Sequence, residues 1–218
     1  IKGLTLTSKF GAGESAGGEF LDIVKGEKEC LILLSSSSSY VVSSIVLTHF
    51  DYFRDKKHFS MSELEIFLKE LSEDIRERNF VTDNKRVLDA FIARIDLNSL
   101  VIEGLYFGDF EVYRTKNDNL HGNDLPLDAM FFNKGSFSSR LLRSEKIMIL
   151  SPGLKKNLNE SYPGITIKKM LSGFEDQKPR QIINELFFQL KKDVSRDFLA
   201  HDATAIHIEV DQNVIVQI

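Results

Sequence analysis

Short apolar and β-branched runs recur along the chain at Leu4 to Phe10, Phe20 to Val24, Cys30 to Leu34, Val87 to Asp96, Leu100 to Phe107, Phe110 to Thr115, Ile147 to Leu150 and Thr204 to Val210. Runs of this length, alternating or continuously apolar, predict β-strands. Two stretches carry a helical period instead. Leu64, Phe67, Leu68, Leu71 and Ile75 fall on one stripe, with Glu65, Lys69, Asp74 and Glu77 on the other side. Ser60-Met61-Ser62-Glu63 precedes them as a capping box, in which Ser60 accepts from the first turn and Glu63 reaches back. Ile182, Ile183, Leu186, Phe187, Leu190 and Val194 form a second stripe, opened near Pro179, which suits the first helical position.

The segment Val41 to Phe53 is ambiguous. Val41, Val42, Ile45 and Val46 favour a strand by propensity, while length and near-continuous apolarity favour a buried helix. Two strand-rich blocks interleaved with helices predict an α+β layered sandwich, sheets packed together and helices outside, with no parallel βαβ repeat. The link Arg114 to Phe132, with Asn117, Asp118, Asn119, Gly122, Asn123 and Pro126, reads as turn chemistry rather than a linker between domains.

Composition narrows the classes. With 218 residues, 42% hydrophobic, the chain is expected to form one domain, residues 1–218. A net charge of −4 and no long basic run argue against nucleic acid as a partner. Cys30 is the only cysteine, so no disulfide framework exists within the chain and a reducing, cytoplasmic setting is expected. No apolar stretch approaches the roughly 20 residues that span a bilayer, so no membrane contact by this domain is expected. The chain opens on Ile1 and enters strand-like sequence at once. It therefore reads as the C-terminal piece of a longer regulatory protein, any sensor or membrane segment lying upstream.

Four separated patches, taken in order, resemble the metal-dependent (PPM) serine/threonine phosphatases, specifically the SpoIIE/RsbU branch of the protein phosphatase 2C fold. Ala16-Gly17-Gly18-Glu19-Phe20-Leu21-Asp22 stands where that family has Gly-Gly-Asp, an aromatic pair and Asp. Leu31-Ile32-Leu33-Leu34 followed by Ser35 to Ser39 and Tyr40 stands where it has an apolar strand and then Gly-Asp-Val-Ser-Gly-His-Gly. Ile147-Met148-Ile149-Leu150-Ser151-Pro152-Gly153-Leu154 resembles its strand ending in Ser/Thr-Asp-Gly, and Ala200 to Ile208 its Asp-Asp-x-Thr before a closing strand. The resemblance implies a four-layer α-β-β-α sandwich and a buried helix across Val41 to Phe53. Gly17-Gly18-Glu19-Phe20 is also similar to the loop of diguanylate cyclases, but it is one acidic residue short and almost nothing precedes it.

In the family this chain resembles, carboxylates bridge two Mn²⁺ or Mg²⁺ ions that activate a shared water for in-line attack on phosphorus. The four matched positions here read Glu19, Ser35, Pro152 and His201. Hard divalent ions need anionic oxygen ligands; serine is neutral and proline has no side-chain ligand. The resemblance thus implies a pseudophosphatase that binds a regulatory protein of the anti-sigma-antagonist type, with no cofactor, homodimerisation being open. The alternative is an active phosphatase holding Mn²⁺ or Mg²⁺ through Glu19, Asp22, His201 and Asp202. The plain readings stand beside these. Glu19, His201 and Asp202 are solvated surface residues, His207 faces outward on its strand, and Cys30 is a small core residue. His49, His58 and His121 form no ligand spacing. The serine run is a strand-to-helix turn whose hydroxyls cap the next helix, rather than a loose linker.

Overall fold

Backbone pairing sorts the strands into two antiparallel sheets, each with its own helices. The computed structural model describes residues 3–14, 18–37, 39–78, 87–114, 123–124, 134–161, 178–192 and 198–211. In chain order the elements are β1 (Leu4–Gly11), β2 (Phe20–Lys25), β3 (Glu29–Ser37), α1 (Tyr40–Phe50), α2 (Met61–Glu77), β4 (Leu88–Asp96), β5 (Val101–Phe107), β6 (Glu111–Arg114), β7 (Asn123–Asp124), β8 (Lys134–Arg140), β9 (Lys146–Leu150), α3 (Pro152–Ser161), α4 (Pro179–Lys192) and β10 (Ala203–Val210). One sheet has the order β1-β10-β9-β6 and the other β2-β3-β4-β5-β8-β7. The chain is α+β, as the alternation of periods predicts.

The contacts divide the chain into two units. One holds β1, β6, β9, β10, α3 and α4. Its helices cover one sheet face through Ile183, Leu186, Phe187 and Leu190 of α4 and Leu154 and Leu158 of α3, packed on Met148, Leu150, Ala203 and Ala205. The other holds β2 to β5, β7, β8, α1 and α2. There Leu31, Leu33, Ala90, Ile92 and Leu105 meet Val42, Val46 and Phe50 of α1 and Leu64, Phe67, Leu68 and Leu71 of α2. Phe67 makes edge-on contacts with Phe50 and Phe53, which are tilted against each other at 49°, the centroids lying 5.5–6.1 Å apart.

Burial settles the ambiguous segment. Val42, Ser43, Ile45, Val46 and Phe50 are buried at helical spacing, and the helix runs on into a 3-10 turn over Asp51–Phe53. At α2 the reciprocal capping box forms, Ser60 accepting from the Glu63 amide at 3.3 Å and Glu63 from the Ser60 amide at 2.9 Å. Glu63 is also paired with Lys56, whose ammonium is the main cause that holds its carboxyl below the ordinary range.

Some expectations need correction. Part of the link read as turn chemistry forms β7, which pairs with β8 through Asn123 and Asp124. β8 itself lies in a stretch with no apolar run, since among Gly135 to Ser139 only Phe137 is a buried hydrophobic. Helix α3 opens on Pro152, which suits the first helical position, but Gly153 follows, a poor helix former that weakens a periodicity reading. His207 does not face outward. It is 2% exposed, on the side of β10 shared with Ala203 and Ala205, beneath the helices. Val194 of the second predicted stripe lies outside the described residues, as does His121.

Candidate functional site

Pairing of β3 with β4 is continuous from Glu29 to Ser37, so its side chains alternate strictly between faces. Ser35 shares the face of Leu31 and Leu33, which α1 and α2 cover, while Ser36 shares the opposite face with Ile32 and Leu34. Ser35 is fully buried, and its Oγ has no hydrogen-bond partner among the described residues. The strand thus runs through the first three serines, and the turn expected over the whole run begins only after Ser37.

The later serines are hydrogen-bonded. Ser39 is the N-cap of α1, accepting from the Val42 amide at 3.3 Å. Ser43 donates to the Gly18 carbonyl at 2.9 Å, Ser37 donates to the Ser39 carbonyl at 2.7 Å, and the two hydroxyl oxygens lie 2.8 Å apart. A Cβ at Gly18 would collide with both hydroxyls, so only glycine fits beside the pair. These hydroxyls stitch the entry of β2 to the first turn of α1.

Two acidic residues lie beside them. Glu19, half-buried, directly precedes β2. Asp22, within β2, accepts from the Ile23 amide through Oδ1 at 2.8 Å and pairs with the Arg54 guanidinium through Oδ2.

In the other unit, Pro152 is buried as the first residue of α3. Ser151 caps that helix, its Oγ accepting from the Leu154 amide at 3.2 Å and from the Thr204 amide at 2.9 Å, which ties β9 to β10. The Asn157 amide clamps His201 by its backbone, donating to its carbonyl at 2.8 Å and accepting from its N–H at 3.1 Å. Asp202 Oδ1 accepts from the Gly13 amide at 2.7 Å, fastening the stretch before β10 to the end of β1. Sequence reasoning assigned no role to Asn157, Ser151 or Ser43. Only Ser151 gave a signal, as a good N-cap residue directly before Pro152.

Burial pushes the Cys30 thiol up to about 11, which makes it an inert core residue. Burial lowers His207 to about 4, its Nδ1 having no partner among the described residues. Tyr113 is raised by burial and by its bond to Glu111.

A carboxylate-bridged pair of divalent ions requires several anionic oxygens on one centre. Among the described residues no three His, Cys, Asp or Glu side chains come together in a way that could hold a metal ion. Ser35 points under the helices, Pro152 offers no donor, and Asp22 and Asp202 are engaged by Arg54 and the Gly13 amide. Of the matched positions, Ser35 and Pro152 do not fit such a metal pair.

Two antiparallel sheets flanked by helices match the fold of the PPM, or protein phosphatase 2C-type, phosphatases. The phosphatase domain of the cell fate determinant SpoIIE from Bacillus subtilis matches with a TM-score of 0.65 at 15% identity, covering 96% of this chain and 93% of that one. The RsbU and RsbW domains of a Mycobacterium tuberculosis protein match with a TM-score of 0.70 at 11% identity, over 97% of this chain and 61% of that longer one. The catalytic domain of the serine/threonine phosphatase PstP, solved with two manganese ions, matches with a TM-score of 0.64 at 9% identity, over 95% and 98%. At these identities the likeness is one of fold. No protein-family sequence model matches the chain, and no curated protein matches it in sequence.

Proposed function

We propose that this domain is a catalytically degenerate PPM-type phosphatase domain, a pseudophosphatase, that acts as a protein-binding module in signalling. The observation that carries the reading is the state of the matched positions. Ser35 is buried under α1 and α2, Pro152 offers no ligating atom, and two of the nearby carboxylates, Asp22 and Asp202, hold the chain together through Arg54 and Gly13. A fold kept without its chemistry still offers surfaces. The likeness to SpoIIE and to RsbU-containing chains supports a regulatory protein as partner, of the anti-sigma-antagonist type, in a bacterial regulatory system.

Hydrolysis of p-nitrophenyl phosphate by the purified domain, followed across a Mn²⁺ titration, tests this. The expected rate equals that of buffer with Mn²⁺ alone. Turnover that disappears in Glu19→Ala or His201→Ala would establish the opposite, an active site with unorthodox ligands.

A further inference from the structure

A groove of about 830 Å³ lies between the end of β1 and the outer side of α4, within one unit of the chain. Its walls carry Lys9 and Phe10 from the strand and Asn184, Phe187, Phe188 and Lys191 from the helix. Phe10 and Phe188 are 53% and 58% exposed, Phe188 on the side of β1 that α4 covers and Phe10, next to Lys9 in the extended strand, on the other. The floor is tightly built, since a Cβ on Gly11 would come within 2.9 Å of Phe187 and of Leu199.

Three further features point to an occupant. First, β1 is an edge strand among the described residues, paired on one side with β10. An edge of this kind is a template for another strand. Second, a lysine on an edge strand normally blocks such pairing by projecting along it. Lys9 instead folds back over α4, donating to Asn184 Oδ1 at 2.8 Å and lying 5.3 Å from the Phe187 ring centroid. An ammonium so placed has donors left for a carboxylate. Third, the groove is cationic on a chain of net charge −4. Lys9 and the exposed Lys191 line it, and its one acidic residue, Glu185, accepts from Gln189 at 2.7 Å.

We propose that this groove binds an extended peptide segment of a partner protein, with acidic residues set between apolar ones, which adds to the edge of β1 as a strand. Main-chain bonds to β1 supply affinity, Phe10 takes the apolar side chains on one face of the added strand, and Lys9 and Lys191 take the carboxylates on the other, where Phe188 packs against their methylenes. The groove uses none of the positions matched to the phosphatase site. Loss of peptide binding therefore leaves the pseudophosphatase reading standing, and phosphate turnover leaves the groove standing.

Fluorescence anisotropy with labelled peptides of about twelve residues, alternating apolar with acidic or apolar with basic positions, tests it on the full chain. The acidic peptide is expected to bind and to weaken about tenfold or more in Lys191→Glu and in Phe188→Ala. Both side chains are exposed, so circular dichroism should be unchanged, and on binding the backbone amide resonances of residues 8–11 should shift. Equal binding of the basic peptide, no binding at about 1 mM, or acidic binding indifferent to both substitutions would overturn the proposal. So would a dimer in sedimentation velocity that Phe188→Glu converts to monomer, since the groove would then receive a second copy of this chain.

Discussion

Ser35 shows how much one residue can decide. In a strand, a step of one position moves a side chain to the opposite face, and five successive serines give no internal mark of which faces where. Only the register with β4 places Ser35 beneath the helices and Ser36 on the other side. If Ser35 lies in that apolar layer, Ser35→Asp does not create a metal ligand but buries a carboxylate. Denaturant unfolding should then show a loss on the order of 3 kcal/mol, with no gain of Mn²⁺ affinity. Ser35→Ala, which removes a buried hydroxyl without a partner, should hold or raise stability by up to about 1 kcal/mol. A strongly destabilised alanine variant would mean that the hydroxyl has a role in the fold.

His207 illustrates the same limit, since its neighbours Ile206 and Ile208 suggested an outward histidine but β10 is buried on both faces. Its folded pKa, about 4, lies below the ordinary 6.5 because burial disfavours the imidazolium. The unfolded chain therefore binds a proton between those values that the folded chain refuses. Stability from this residue is complete above about pH 6.5 and is lost as pH falls toward 4, amounting to on the order of 3 kcal/mol. Unfolding curves from pH 7 to pH 4 should be flatter in His207→Leu than in the parent; parallel curves would contradict the buried neutral histidine.

Among elements, those with local chemical signals were legible. The capping box at Ser60 and Glu63 located the start of α2, and its apolar stripe named the buried residues Leu64, Phe67, Leu68, Leu71 and Ile75. Ser60→Ala should cost about 1 kcal/mol in thermal or denaturant unfolding, because the Glu63 amide loses its acceptor and the Glu63 carboxylate loses a donor hydroxyl. An unchanged midpoint would show that Lys56 and the Ser60 amide position Glu63 without the hydroxyl. Helix α1 was not legible from propensity, because its β-branched residues are chosen for burial against β3 rather than for helix formation. β8 was missed for the opposite reason, as its Ser136, Ser138 and Ser139 stand on a strand held by pairing with β5. The Asn157 clamp on His201 joins residues 44 apart in sequence and leaves no periodic trace.

At the scale of the whole molecule, the strand pattern gave the α+β class, and the ordered patches gave the phosphatase fold that the structural comparisons support. What they could not give is which carboxylates are free. Asp22 and Asp202 look in sequence like ligands, and their engagement by Arg54 and the Gly13 amide is visible only in three dimensions. No helix among the described residues is long and apolar enough to cross a membrane. The proposed role then rests on surfaces rather than on a reactive centre. A fold retained on these terms should stand without divalent ions.

Thermal unfolding in the presence of Mn²⁺, set against unfolding in chelator, tests that most directly. A site filled at about 100 times its Kd would add roughly 2.7 kcal/mol, several degrees for a domain of this size. Coincident transitions are expected in about 5 mM Mn²⁺ and in EDTA. A saturable rise of several degrees with Mn²⁺, abolished in Glu19→Ala, would contradict it.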